Sequence, residues 1–253
     1  GADGAHSWVR RNFRMGKPRE TMIGFQIEVT GYNGDSGMLD MYTGKNISPG
    51  FFSWAIPTGD TTRVGTWTKA ELMNGLSSEQ YLDKLLQDQK INSRFRLCSE
   101  VARFCGPVPS GIVRKPLIER VALFGDSAGV CKPTTGGGIG PGFKQVDLLV
   151  PKLSKCMENN ELSRGTMNSI SALLKEMARN QRKKRALRDA FLTEMSDVEL
   201  EKIFDVWVRP EVTDLINEFG DIENPIPLGI KMLREVPEFR RLAGRAAKAV
   251  LWG

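Results

Sequence analysis

Histidine is almost missing from this sequence. Of 253 residues only His6 carries an imidazole, which argues against serine–histidine or cysteine–histidine hydrolysis and against histidine-rich metal sites. Cysteine is scarce as well. Cys98, Cys105, Cys131 and Cys156 form no CxxC pair and no zinc spacing, so they read as free thiols in a reducing compartment and no metal is expected. No stretch approaches the roughly eighteen uninterrupted apolar residues of a membrane span. The opening residues, GADGAHSWVRRNFRMGKPRE, put basic side chains where a signal peptide has its apolar segment. The expected location is therefore cytoplasmic. Internal repeats and low-complexity linkers are absent too.

What is present is 40% hydrophobic residues and a net charge of +6, from 36 Lys and Arg against 30 Asp and Glu. Such a chain is long and apolar enough to build its own core. The mild basic excess suits an anionic surface but calls for no nucleic acid. Part of it sits in ARNQRKKRALRD, where Arg179, Arg182, Lys183, Lys184, Arg185 and Arg188 accompany one acid. A solvated helix face is preferred there over a lipid-headgroup or phosphate patch.

The first half reads as β. TMIGFQIEVTG, SGMLDMYTG, FFSWAIPTG and TTRVGTW are short apolar or alternating runs divided by Gly, Asn, Asp and Pro turns. SSEQYLDKLLQDQKI has a serine cap and apolar spacing for one amphipathic helix. FRLCSEVARFCG reads as a further strand, and ERVALFGD as a buried one ending at Gly125. The second half is helical. GFKQVDLLVPKLSKCM follows the glycine-rich stretch, bent near Pro151. A long helix is expected over 163–192, then three or four shorter ones punctuated by Pro210, Pro225, Pro227 and Pro237. A last amphipathic helix, with Phe239, Leu242, Ala246, Ala249 and Val250 on one side, is expected to dock on its own protein.

The densest signal is GDSAGVCKPTTGGGIGPG at 125–142. A strand, a turn carrying Asp126 and glycines opening a helix bring backbone N–H groups and a positive dipole end against an anionic or electron-rich ligand. The competing reading is a plain loop in which Asp126 caps a turn, and spacing alone does not choose.

GDSAG followed by KPTTGGGIGPG resembles the second flavin motif of reductases and hydroxylases of the p-hydroxybenzoate hydroxylase type. More narrowly it is similar to archaeal-type geranylgeranyl reductases. GADGAHSWVRR at 1–11 resembles the GADGxxSxVRR element of that family, and FFSWAIP with RVG after it resembles its YxWxFP…VG motif. The resemblance implies FAD contacts from Asp3, Gly4, Gly125, Asp126, Pro133, Thr134, Thr135, Gly136, Gly137, Gly138 and Ile139. Asp126 is implied for the ribityl chain and the Pro-Thr-Thr-Gly-Gly-Gly stretch for the isoalloxazine ring. Phe52, Trp54, Ile56 and Pro57 are implied on a substrate-facing strand, where alternation puts Phe52, Trp54 and Ile56 on one face. Phe52 stands where the family has Tyr, and Ile56 where it has Phe.

The family's GxGxxG unit, which holds the ADP pyrophosphate, is not in these residues. The expected fold is therefore α+β, a truncated p-hydroxybenzoate hydroxylase-like fold. An antiparallel substrate-domain sheet precedes the returning part of an FAD-binding domain and a C-terminal helical region. The expected divisions are 1–12, the end of the first FAD-binding part; 13–107, a β-rich substrate domain; 108–160, the returning FAD segment; and 161–253, helices. A fragment of a longer reductase is preferred over a short protein that has lost flavin binding.

The resemblance implies an FAD-dependent reductase that saturates C=C bonds of geranylgeranyl chains in archaeal membrane ether lipids, the fragment alone being expected to be inactive. Implied partners are an isoprenoid lipid, an electron donor (ferredoxin or a nicotinamide nucleotide) and a membrane surface touched peripherally. The proton donor is not read; Tyr42 and Cys131 are weighed for it and His6 is a poor candidate. Two alternatives stand beside this: a flavin-dependent hydroxylase or dehydrogenase on the same scaffold, and a non-catalytic lipid-binding module.

Overall fold

The alternating runs of the first half pair into one antiparallel sheet. Its strands are β1 (Glu20–Thr30), β2 (Asp40–Tyr42), β3 (Ser53–Pro57), β4 (Thr62–Lys69) and β5 (Ser99–Ser110), in the order β2-β3-β4-β1-β5. The computed structural model describes residues 1–221, 226–240 and 244. Between β4 and β5 comes α2 (Ser78–Gln87), which opens with a capping box: Gln80 N donates to Ser77 Oγ at 3.2 Å, and Ser77 N to Gln80 Oε1 at 2.8 Å. Leu82 and Leu85 of α2 lie on Phe25, Ile27, Val29, Ala55 and Val64, all on one sheet face. Each leucine buried there contributes about 1.5–3 kcal/mol. This face is the core of the sheet layer.

The register decides what occupies the other face. One row across all five strands is Met41, Trp54, Gly65, Gln26 and Phe104. The next holds Trp67, Gly24 and Gly106, with Lys69 and Met22 beyond it. Two glycines here make room for indoles. A Cβ on Gly24 would meet Trp67 Cζ3 at 2.1 Å, and one on Gly65 would meet Trp54 Cζ2 at 2.4 Å. Both Trp rings can therefore lie flat across the sheet.

ERVALFGD differs from the sequence expectation. Only Val121–Ala122 is strand, β7, paired with β6 (Leu117–Ile118) in a two-stranded ribbon, and Val121 and Ala122 are half-buried. The backbone of Gly1 runs beside this segment: its nitrogen donates to Ala122 O at 2.7 Å, and Phe124 N donates to Gly1 O at 2.8 Å. That is the hydrogen-bond pattern of a single parallel bridge. An apolar run needs a neighbouring strand to extend as β, and among the described residues this one has little more than that bridge.

The helices follow. α1 (Trp8–Asn12) precedes the sheet, and α3 (Ile139–Glu158) carries Pro151 inside it. The long helix expected over 163–192 is broken into α4 (Arg164–Ser171), a tight turn at Ala172–Leu174, α5 (Lys175–Arg188) and a wide turn at Asp189–Thr193. The wide turn forms where Asp189 accepts from Lys69 Nζ at 3.1 Å, Arg188 Nη2 at 2.7 Å and Thr193 Oγ1 at 3.2 Å. Then come α6 (Asp197–Trp207), α7 (Pro210–Phe219), α8 (Ile226–Glu235) and α9 (Pro237–Arg240), which share a core of Leu200, Ile203, Val206, Val212, Met232 and Phe239. Of the expected terminal amphipathic helix only Phe239 is placed, buried in that core; Leu242, Ala246, Ala249 and Val250 lie outside the described residues. No helix among the described residues is long and apolar enough to cross a membrane.

Candidate functional site

Asp126 sits in a tight turn, Gly125–Ala128, at the end of the Val121–Phe124 run. Gln145 of α3, fully buried, fastens this turn from below: its Oε1 accepts from Gly125 N and its Nε2 donates to Leu123 O, both at 2.9 Å. From the other side Arg10 of α1 donates to Ser127 O at 2.8 Å and to Ala5 O at 2.6 Å. The turn is thus held by two side chains on separate helices.

The glycine stretch closes on itself. Gly136 N donates to Lys132 O at 2.9 Å and Lys132 N to Gly137 O at 3.0 Å, with Gly136 at φ +72, a conformation that an L side chain enters only with strain. α3 then begins at Ile139 with Gly138 before it and no side chain capping its first turn, and Pro141 has no N–H to cap. A Cβ on Gly138 would stand 3.1 Å from Cys131 Sγ and 3.2 Å from Asp126 Oδ1. A Cβ on Gly136 would stand 3.3 Å from the Trp67 ring. The fold therefore brings the glycine loop against the aromatic face of the sheet at Gly136, with Asp126 and Cys131 beside Gly138.

That face continues through stacked rings. Phe51 and Phe52 stack with centroids 4.9 Å apart, Phe52 meets Trp54 edge-on at 6.1 Å, and Trp54 meets Trp67 at 5.3 Å. Trp54 Nε1 donates to Gln26 Oε1 at 3.3 Å, which gives the indole its polar partner. Beyond Trp54 the surface opens: Ile56, Met41 and Phe104 are exposed and Pro57 half-buried. The result is an apolar floor, covered at one end by the glycine loop.

What sequence reasoning missed is α5. Of the basic run read as a solvated face, Arg188 is buried and Arg185 half-buried, and with buried Gln181 they form an inner face that holds the loop. Gln181 Nε2 donates to Gly129 O and Cys131 O, both at 3.0 Å. Arg188 donates to Pro133 O at 2.7 Å and to Glu20 Oε2 at 2.8 Å, and its guanidinium lies over the Phe51 ring at 5.5 Å. Arg185 Nε donates to Glu20 Oε1 at 2.8 Å. The signal was the 181, 185, 188 spacing, one stripe of a helix, with an amide in it. Arg179 and Arg182 do face outward, as expected.

Two other candidate residues have protein partners of their own. The Asp3 carboxylate caps α1, accepting from Ser7 Oγ and Trp8 N at 2.7 Å each and from Val9 N at 3.2 Å. Those bonds, the serine's first, hold it down at about 2. Gly4 follows it in a left-handed turn with open space where a Cβ would be. Tyr42 pairs with Ser53 on the sheet face turned toward α2, where its hydroxyl meets Tyr32 at 3.1 Å beside Asp40 and Arg94. It cannot donate a proton across the sheet to a ligand on the Trp54 face.

Cys131 is buried and its Sγ donates to Asp126 Oδ1 at 3.1 Å. Burial, then the Asp126 bond and charge, push the thiol well above the ordinary cysteine range. Iodoacetamide at pH 8 should therefore label exposed Cys105 first and spare Cys131 until the chain is unfolded, read by peptide mass spectrometry. Rapid labelling of Cys131 in the folded protein contradicts this geometry.

No family model matches the chain. A digeranylgeranylglycerophospholipid reductase of Methanocaldococcus jannaschii is 25% identical over 170 residues, covering 67% of this chain and 43% of the relative. Among solved structures, a geranylgeranyl bacteriochlorophyll reductase-like protein from Thermoplasma acidophilum superposes with a TM-score of 0.77 at 20% identity, covering 97% of this chain and 60% of that one. Over two thirds of its length the chain is thus similar to a geranylgeranyl-lipid reductase, and it shares the fold of a reductase-like protein. The wider fold is shared with a halogenase solved in complex with FAD, at a TM-score of 0.60 and 15% identity, covering 90% of this chain and 51% of that one. This is the α+β fold expected from the motifs. The chain spans about half the length of the curated and solved proteins it matches here.

Proposed function

We propose that this chain forms the flavin-ring side and the substrate floor of an FAD-dependent reductase of isoprenoid C=C bonds. The observation that carries the reading is the meeting of the glycine loop with the aromatic face, Gly136 against Trp67. The residues fit a flavin in kind. Glycine at 136 and 138 leaves backbone where a Cβ would crowd Trp67, Cys131 and Asp126, and the start of α3 has no capping side chain. Such an amide-rich helix start favours negative charge on the pyrimidine side of the ring.

In this reading Asp126 accepts hydrogen bonds from ribityl hydroxyls. Pro133 to Gly138 lie along the ring, with Arg188 holding the Pro133 carbonyl in place. Phe52, Trp54 and Ile56 hold a prenyl chain by apolar contact and exclude water from the double bond. Reduced FAD, when bound, supplies the hydride for one alkene carbon while a proton goes to the other. Of the residues weighed for that proton, Cys131 alone borders the loop, and its raised thiol pKa keeps it protonated at neutral pH. A digeranylgeranylglycerophospholipid, the substrate in the name of the Methanocaldococcus jannaschii relative, is the substrate class this reading favours.

The test is titration with FAD, followed by flavin fluorescence, on this chain and on the chain joined to a nucleotide-binding unit from a reductase relative. Tight binding by the joined protein, weakened at least about tenfold by Asp126→Ala, supports the reading. Equal binding by Asp126→Ala, or no binding by either protein, refutes it. The hydroxylase alternative is separated by product analysis with a geranylgeranyl lipid: saturation adds two hydrogens, and hydroxylation adds oxygen.

A further inference from the structure

The aromatic floor does not end at Trp67. Two residues along the same face of β4 is Lys69, roughly 7 Å further by strand geometry. Lys69 borders a cavity of about 440 Å³ at the charged end of the sheet, between α1 and the start of β1. Five cationic side chains line it (Arg10, Arg11, Lys17, Arg19 and Lys69) against two carboxylates, Glu20 and Glu71, with His6 at its wall.

Among the described residues, the carboxylates ion-pair with Lys69 alone of these cations. Glu20 is engaged by Arg185 and Arg188 from α5, so it brings further positive charge with it. Glu71 and Asp189 both pair with Lys69, at 3.3 and 3.1 Å. Arg10 bonds only the carbonyls of Ala5 and Ser127 through its Nη atoms. Arg11 gives Nε to Ser7 O, and among the described residues neither it, Lys17 nor Arg19 has an ion-pair partner. A concave site with unpaired guanidinium and ammonium groups is built for a compact polyanion rather than for a flat surface. An apolar floor leading into such a pocket matches a molecule with a hydrocarbon tail and a phosphate end.

The geometry points to this cavity as a phosphate-binding site, one that takes the phosphate or diphosphate end of the prenyl ligand whose tail lies on Trp67 and Trp54. This deepens the reductase reading, and rests on it only for the tail. Arg11, Lys17 and Arg19 are the contacts. Free phosphate and a lipid phosphate share this chemistry, and affinity separates them.

The experiment is calorimetric titration of the purified chain with inorganic pyrophosphate, with geranylgeranyl diphosphate and with geranylgeraniol. Pyrophosphate is expected to bind, more weakly as salt rises. Geranylgeranyl diphosphate is expected to bind at least about tenfold tighter than pyrophosphate, since its tail buries apolar surface on the floor. The exposed triple variant Arg11→Gln/Lys17→Gln/Arg19→Gln should lose at least about tenfold for both anions, keep its unfolding temperature and leave geranylgeraniol unaffected. A control triple, Lys90→Gln/Lys152→Gln/Lys155→Gln, removes the same charge elsewhere and should bind as the wild type does.

Failure of both anions to bind the wild type overturns the proposal. So does equal loss in the control triple, or none in the pocket variant. Equal affinities for pyrophosphate and geranylgeranyl diphosphate overturn the lipid assignment in favour of free phosphate. Neither arm contains FAD, so this result and the FAD titration stand or fall separately.

Discussion

Arg188→Leu is expected to lower stability by about 3–5 kcal/mol, the cost of removing one partner from a buried ion pair. The side chain is almost wholly buried and serves Glu20, Asp189, Pro133 and Phe51 at once. Leucine replaces the volume but none of the donors. Burial works against the Glu20 and Asp189 charges, yet the bonds and charges of their basic partners outweigh it and hold both carboxyls below their ordinary values. A carboxyl lowered in this way stabilises the fold above its unfolded pKa, near 4 for Asp and Glu, and that contribution fades as pH falls through the folded value. Urea unfolding should therefore show the wild type weakening as pH drops below about 4, and Arg188→Leu weakening less over the same window. The double variant Glu20→Leu/Arg188→Leu should recover part of the loss, because no half-paired charge remains in the interior. A loss under about 1 kcal/mol in the single variant contradicts the buried network.

Gln145→Leu is the second large effect. It keeps the volume and removes both hydrogen bonds, leaving Gly125 N–H and Leu123 C=O without their partner. Each unsatisfied buried group costs about 1–3 kcal/mol. The turn carrying Asp126 then loses its tie to α3, so FAD affinity in the joined protein should fall together with thermal stability. Gln145→Glu separates the two effects. Its carboxylate still accepts from Gly125 N–H but cannot donate to Leu123 O, so it should rescue less than half of the loss. Wild-type affinity and melting temperature in Gln145→Leu contradict the bolting role.

The sheet was legible because its signals are local. Alternation in TMIGFQIEVTG and in SWAIP identifies both the strands and the faces, and the register later puts Trp54 and Ile56 where alternation said they lie. Ser77 marked the start of α2 for the same reason, since a capping box needs only four residues. The glycine stretch was legible as a place of close backbone approach, but its partner Trp67 was not, since that contact joins residues far apart in the chain. α5 was misread because charge is a poor guide to exposure. Arg185 and Arg188 look like Arg179 and Arg182 in composition, and only the acid at Glu20 across the fold makes them interior. ERVALFGD was misread because an apolar run states what it can bury and says nothing about whether a neighbouring strand exists to pair with it.

α5 gives the site a property that neither half has alone. The same guanidinium that stacks on Phe51 also holds the carbonyl of Pro133. A guest on the aromatic floor that displaces Phe51 therefore shifts the donor beneath the glycine loop, and a guest on the loop presses back on the floor through the same group. By reciprocity each guest must change the affinity for the other by one common factor. Under the proposed reading, a tail on the floor and a ring on the loop would be coupled through this one guanidinium without touching.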